Sequence, residues 1–257
     1  MPRLKSTHVK YPRRRFIRFV LRVLANIAIA LFTKIEITGK ENIPEEGPFM
    51  VIGNHFSFAD PVMVMAKFPY WVEFIGGTLN PGAPKLLAFL PGVWGILNVY
   101  RGTSSRQAIK AAQSVLAQKG VLCIFPEGGN WATVLRPARP GASFLAQQMQ
   151  VPIVPIGFWG LEEIFTDFKL FERKPIKMVI GEPFGPLGSD IEGRPTKEQF
   201  EEMGHEMMRH IAPLIDPLQR GHYSENPALR EAAKGTEVWP WSNSREGEVG
   251  RWRDKAV

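Results

Sequence analysis

The sequence predicts an α/β domain with a mostly parallel or mixed sheet flanked by helices, preceded by an N-terminal amphipathic helix suited to a membrane interface. Three observations predict it. Short apolar runs alternate with helix-length amphipathic segments through the middle of the 257-residue chain. Polar clusters with His, Asp, Arg and Glu stand where those runs end. All the excess positive charge lies in one short arm at the start. This length suits one domain with extensions. Residues 1–34 read as basic arm and interface helix, 35–220 as the folded domain, and 221–257 as a polar, partly disordered tail.

The net charge of +7 is unevenly spread. Residues 1–22 hold eight Lys/Arg (Arg3, Lys5, Lys10, Arg13, Arg14, Arg15, Arg18, Arg22) and no acid, whereas the remainder holds 24 basic and 25 acidic residues. Such an arm meets an anionic surface, either membrane or nucleic acid. The next segment, residues 16–32, decides between them. It is rich in Phe, Ile, Val and Leu, with Arg15, Arg18, Arg22 and Asn26 recurring at helical spacing. A helix of this kind lies in a bilayer interface, apolar face down and arginines at the headgroups. It would be about 25 Å long. That is shorter than the hydrocarbon core of about 30 Å, and its first half is charged, so it rests on the membrane rather than spanning it. The alternative is an ordinary core helix with a solvated basic face. The expectation is monotopic attachment to the cytoplasmic face, with anionic bilayer lipids as partner and no nucleic acid. A signal peptide is not expected, because Thr33-Lys34-Ile35-Glu36 is no small-residue cleavage site.

Further along, residues 35–38 alternate and read as a short strand. The turn-rich stretch 39–48 follows, then a buried strand over 49–52. Asp60-Pro61 suits a helix start, with Asp as cap and Pro as first helical residue, leading a helix over 61–66. Strand character returns at 70–75. A short helix is expected around 85–90 between prolines and glycines, and a strand at 95–100. A helix from Ser104 or Ser105 to about Lys119 ends at Gly120. It is followed by a strand over 121–125, a helix over 141–150, strands over 151–158 and 177–180, and a helix over 198–214. The single cysteine, Cys123, lies in an apolar strand and reads as an inert core residue.

The chemistry sits at the ends of three of these strands. Asn54-His55-Phe56-Ser57-Phe58-Ala59-Asp60 places an imidazole and a carboxylate five positions apart, the minimum apparatus for taking a proton from a hydroxyl. Five positions are about 140° apart on a helix, so His55 belongs in the loop and Asp60 at the helix start. Gly95-Ile96-Leu97-Asn98-Val99-Tyr100-Arg101 offers a guanidinium suited to phosphate. Phe125-Pro126-Glu127-Gly128-Gly129 sets a carboxylate beside two glycines, open to a small polyol. Singly, each residue reads equally well as a solvated loop charge or a cap. Together they sit where ligands bind in open parallel sheets, outside the carboxyl ends of strands.

These blocks, followed by Val151-Pro152-Ile153-Val154-Pro155-Ile156-Gly157, resemble the glycerolipid acyltransferases, typified by 1-acyl-sn-glycerol-3-phosphate acyltransferases. Four blocks appear in order and cover about residues 40–180. The resemblance implies that His55 is the general base, oriented by Asp60. It further implies that Arg101, Glu127 and Gly128 serve acceptor binding, with Asn54 and Gly129 beside them as substrate-binding candidates, and it agrees with an interfacial N-terminal helix. Two positions depart from the family pattern. Asn98 stands where an aromatic is common, and Gly129-Asn130 stands where Thr-Arg is usual. A phosphate-facing arginine is therefore missing at 130. Arg136 and Arg139 are candidates to replace it, and a different head group is the alternative.

The implied reaction moves an acyl group from acyl-CoA or acyl-acyl carrier protein to the free hydroxyl of a lysophospholipid, with 1-acylglycerol-3-phosphate and its product phosphatidic acid as the first expectation. No metal or cofactor is expected beyond that co-substrate. Another lysolipid, amino-lipid or glycolipid acceptor, or a lipid-binding protein without activity, remains open. His205-Glu206-Met207-Met208-Arg209-His210 imitates a zinc helix, but its histidines are five apart and would not share a metal. The chain has no P-loop, no GxSxG elbow around Ser57 and no dinucleotide fingerprint.

Overall fold

The computed structural model describes residues 9–77, 84, 87–99, 106–162, 164, 173–238 and 240. In chain order the regular elements are α1 (Arg15–Phe32), β1 (Thr33–Thr38), β2 (Phe49–Gly53), α2 (Asp60–Lys67), β3 (Val72–Gly76), α3 (Leu90–Trp94), β4 (Leu97–Asn98), α4 (Arg106–Leu116), β5 (Val121–Ile124), α5 (Pro140–Met149), β6 (Ile153–Trp159), β7 (Lys174–Ile180), α6 (Lys197–Ile211) and α7 (Pro227–Ala233). The strands form one sheet in the order β1-β7-β6-β2-β5-β3-β4. Neighbours from β6 to β4 run parallel, β7 is antiparallel to β6, and β1 pairs parallel with β7. This is the mixed, mostly parallel α/β fold that the sequence predicts.

Strand β2 is unbroken apolar sequence because both faces of the sheet are covered. Its side chains alternate between two cores. Met50 and Ile52 join α4, α5 and α6 on one face, while Phe49 and Val51 join α1, α2 and Trp94 on the other. Cys123 is buried in the second core, where burial pushes its thiol well up and leaves it unreactive. Helix α6 starts on a capping box between Thr196 and Gln199. Because β2 and β5 pair in parallel, with Ile52 opposite Ile124, their carboxyl ends open on one edge of the sheet.

Several elements differ from expectation. Among the described residues, 87–89 form a turn and the short helix lies at Leu90–Trp94, and the described part of the strand expected over 95–100 is paired at Leu97–Asn98. Arg101 lies outside the described residues. Of the polar stretch from 221, residues 221–238 and 240 are described and the remainder lies outside the described residues. The described part makes a 3-10 turn at Gly221–Tyr223, then α7, which is capped by Asn226. Thr236 and Glu237 then lie on the loop after β5, accepting through their carbonyls from Trp131 Nε1 at 2.8 Å and Arg139 Nη2 at 2.7 Å.

Helix α1 has the expected length and stripe and turns its apolar side outward, as attachment to an interface requires, but Arg18, Arg22 and Asn26 meet protein rather than headgroups. Arg18 is fully buried and forks onto Glu73, Nη1 to Oε1 at 2.6 Å and Nη2 to Oε2 at 2.8 Å. Its Nε donates to the Trp94 carbonyl, and its guanidinium stacks 4.7 Å over the Trp94 ring. Arg13 adds a second cation on Glu73 at 2.6 Å, Arg22 donates to the Phe68 carbonyl, and Asn26 donates to Ala66 at 3.1 Å. The cause is Glu73, a fully buried carboxylate within an apolar strand that requires a counter-charge. Burial pushes the Glu73 carboxyl up, but the bonds from Arg18 and Arg13 outweigh that and hold it below its ordinary value. Of the expected stripe, Arg15 is exposed. The side turned to solvent is apolar, with Phe16 79% and Leu31 60% exposed alongside Phe19, Val23, Leu24 and Ile27.

Candidate active site

The site begins where β2 runs out. After Gly53 the chain turns through residues 54–59 into α2. Asn54 fixes the exit. It is fully buried and bonds both ways to β6, its Oδ1 accepting from Phe158 N–H at 2.8 Å and its Nδ2 donating to Phe158 O at 3.2 Å. A side chain so committed ties two strands together. His55, one residue on, reaches the surface with 12% of its side chain exposed.

Asp60 is the first residue of α2 rather than its cap, with Pro61 next. Its carboxylate points back at the loop. Oδ2 accepts from Phe56 N–H and Ser57 N–H at 2.8 Å each, and lies 2.9 Å from His55 Nδ1. The backbone bonds fix the carboxylate, and the carboxylate fixes the imidazole. A carboxylate only accepts, so Nδ1 carries its proton and Nε2 keeps a lone pair. Phe125, at the end of β5, stacks on the imidazole with centroids 4.3 Å apart and 24° between planes. Burial raises the Asp60 carboxyl, while His55 and then the two backbone donors draw it down.

Glu127 completes the arrangement from the adjacent strand end. It is 1% exposed. Its Oε1 accepts from His55 N–H at 2.7 Å, and its Oε2 accepts from Arg136 Nε at 2.9 Å and Arg136 N–H at 3.3 Å. Arg136 also donates to the Gly129 carbonyl and stacks 3.8 Å over the Trp131 ring. Burial pushes the Glu127 carboxyl up to about 7 against the pull of Arg136. The same burial lowers Arg136, with Glu127 opposing. Gly128 allows the turn, since its φ is +75° and a Cβ there would stand 3.0 Å from Arg139 Cγ.

Of the residues singled out in the sequence, His55, Asp60, Glu127, Gly128 and Gly129 thus converge on one edge of the sheet. Glu127 faces inward to the His55 backbone rather than outward. Arg136 is buried beside it, Arg139 lies exposed on the rim, and Arg101 is outside the described residues. The arrangement can abstract a proton through His55 Nε2. Phe125 stands in the expected strand and in the third block without a role of its own, and Trp131 enters no sequence expectation. Phe125 was detectable as the aromatic at the end of a strand beside β2, whereas Trp131 lies in a loop without period. The two zinc-like histidines of α6 part company: His205 bonds Tyr223 at 2.8 Å and His210 stacks on Phe184.

A protein-family model described as Acyltransferase matches residues 34–159, a span that contains His55, Asp60, Glu127 and Arg136. Residues 34–159 of this chain are thus similar to the acyltransferase family. The chain is 33% identical over 150 residues to the human 1-acyl-sn-glycerol-3-phosphate acyltransferase alpha, covering 57% of this chain and 53% of that protein. It is 28% identical over 185 residues to the chloroplastic 1-acyl-sn-glycerol-3-phosphate acyltransferase BAT2 of Brassica napus, covering 70% of this chain and 53% of that one. The chain thus spans about half the length of the curated relatives it matches. In fold it is similar to the crystal structure of the 1-acyl-sn-glycerophosphate (LPA) acyltransferase PlsC from Thermotoga maritima, with a TM-score of 0.53, 21% identity, and coverage of 78% of this chain and 82% of that one.

Proposed function

We propose that the protein transfers a fatty acyl group from a thioester, acyl-CoA or acyl-acyl carrier protein, to the free hydroxyl of 1-acylglycerol-3-phosphate, giving phosphatidic acid. The observation that carries this reading is the His55–Asp60 pair, 2.9 Å apart at the mouth of β2 within the residues similar to the acyltransferase family. The named relatives supply the acceptor class. His55 Nε2 takes the hydroxyl proton as the oxygen attacks the thioester carbonyl. The C–S bond breaks, the acyl oxygen ester forms, and the imidazolium returns its proton to the leaving thiolate. Asp60 favours the imidazolium that forms between these steps.

The acceptor and its product reside in a bilayer, and the apolar outer face of α1 suits attachment to one. No helix among the described residues is long and apolar enough to cross a membrane. The proposed mode is monotopic, on the cytoplasmic face, with Phe16, Phe19, Leu24 and Leu31 in the acyl boundary. An acceptor with another head group is the second reading, favoured by Asn130 in place of an arginine and by the inward turn of Arg136. A screen of purified protein against several lysolipids with both donor types, read by product mass, tests both readings. Phosphatidic acid from 1-acylglycerol-3-phosphate supports the first. Product only from a lysolipid without a terminal phosphate overturns it for the second.

A further inference from the structure

We infer that Arg136 is a positioning residue for the His55 base, acting through the Glu127 carboxylate on the His55 main chain; the inference rests on the proposed acyl transfer. Three observations carry it. First, Glu127 bridges the two residues, with one oxygen on His55 N–H at 2.7 Å and the other on Arg136 Nε at 2.9 Å. The amide of His55 is thus held from the β5 side, while Asp60 holds the ring from the α2 side. Second, Arg136 is itself locked, by its hydrogen bond to the Gly129 carbonyl and by the Trp131 ring 3.8 Å away. Trp131 is tied in turn to the Thr236 carbonyl at 2.8 Å. Third, the arrangement is a poor way to stabilise a core. A buried ion pair rarely gains on apolar residues of the same volume. Arg136 Nη1 is also buried without a hydrogen-bond partner among the described residues. What the pair does supply is directional: two bonds in series, from Arg136 to Glu127 and from the His55 N–H to Glu127, that fix the main chain of the base itself. Displacement of a catalytic group by about 1 Å costs on the order of 100-fold in rate.

The role differs from head-group binding in what each variant changes. Arg136→Met leaves Glu127 unpaired, so a loss of stability accompanies any loss of rate. The pair of substitutions Glu127→Gln and Arg136→Met removes both buried charges together and separates the two effects. Arg136→Lys keeps the charge but loses the fork.

The test measures kcat, both KM values and the denaturation midpoint of the full-length protein and these variants, with vesicle-borne 1-acylglycerol-3-phosphate and acyl-CoA. The expected result is a kcat lowered about 10- to 100-fold in the double variant, with its midpoint near that of the wild type and both KM values within about twofold. Arg136→Lys is expected to fall between. A double variant whose kcat returns together with its midpoint makes the pair structural only and overturns the inference. So does a raised acceptor KM at unchanged kcat, which would make Arg136 a head-group ligand. Absence of any transfer by the wild type, with either donor, would instead overturn the proposed function.

Discussion

Asp60 presents one oxygen, Oδ2, to three hydrogens, those of Phe56 N, Ser57 N and His55 Nδ1. Asp60→Asn can keep one acceptor in place, so the loop retains its shape, but the negative charge that favours an imidazolium is gone. The expected outcome is a kcat lower by about 10²- to 10⁴-fold with KM little changed, measured by steady-state acyl transfer. At Glu127 the prediction concerns pH. Its folded carboxyl is raised by burial from 4.5 to about 7. A raised carboxyl contributes stability in full below its unfolded pKa and loses it as pH rises through the folded value. The stability gap between wild type and Glu127→Gln should therefore narrow by roughly 3 kcal/mol between pH 4.5 and 7.5. Urea midpoints across that range check it; a gap that widens with pH would contradict the assignment. The His55–Asp60 pair was legible in the sequence because the two residues are near neighbours at the end of an apolar run. The Glu127–Arg136 pair was not. Nine positions of irregular loop separate them, no period links them, and each alone reads as a surface charge.

The elements show where periodicity stops informing. The spacing of Arg18, Arg22 and Asn26 fixed the length and stripe of α1, yet it could not say which stripe meets protein. That depended on Glu73, which sits between Val72 and Phe74 on β3, far along the chain. A carboxylate inside an apolar strand is the one sequence signal that calls for buried cations nearby. Glu73→Gln leaves Arg18 enclosed without its counter-charge, and a loss of about 3–5 kcal/mol in unfolding free energy is expected. Denaturant unfolding checks it, and a loss below about 1 kcal/mol would show that Arg18 escapes to solvent. Strands fared better than short helices. β2, β5 and β6 are covered on both faces and announce themselves as apolar runs, whereas α3 has five residues between prolines and glycines and follows the turn at 87–89. The antiparallel turn of β7 against β6 is a tertiary choice that leaves no local mark.

At the scale of the whole molecule, the sheet has a core on each face and an apolar helix surface outside the second core. Arginines turned inward cannot serve the headgroups, so the apolar residues carry the proposed attachment. Phe19→Glu together with Leu24→Glu should release the protein from vesicles in flotation with its unfolding midpoint preserved. About 0.5 M salt should release little of the wild type, since it screens surface charge and not apolar burial. Salt release at full strength would return the role to the basic arm.

The central claim is that His55 is the base of an acyl transfer, and it is tested most directly by comparing full-length wild type and His55→Ala on vesicles with 1-acylglycerol-3-phosphate and a labelled acyl thioester, with product identified by mass. Labelled phosphatidic acid from the wild type, and a rate at least about 100-fold lower from His55→Ala in a protein of equal stability, is the predicted result. Equal product from both proteins would contradict it.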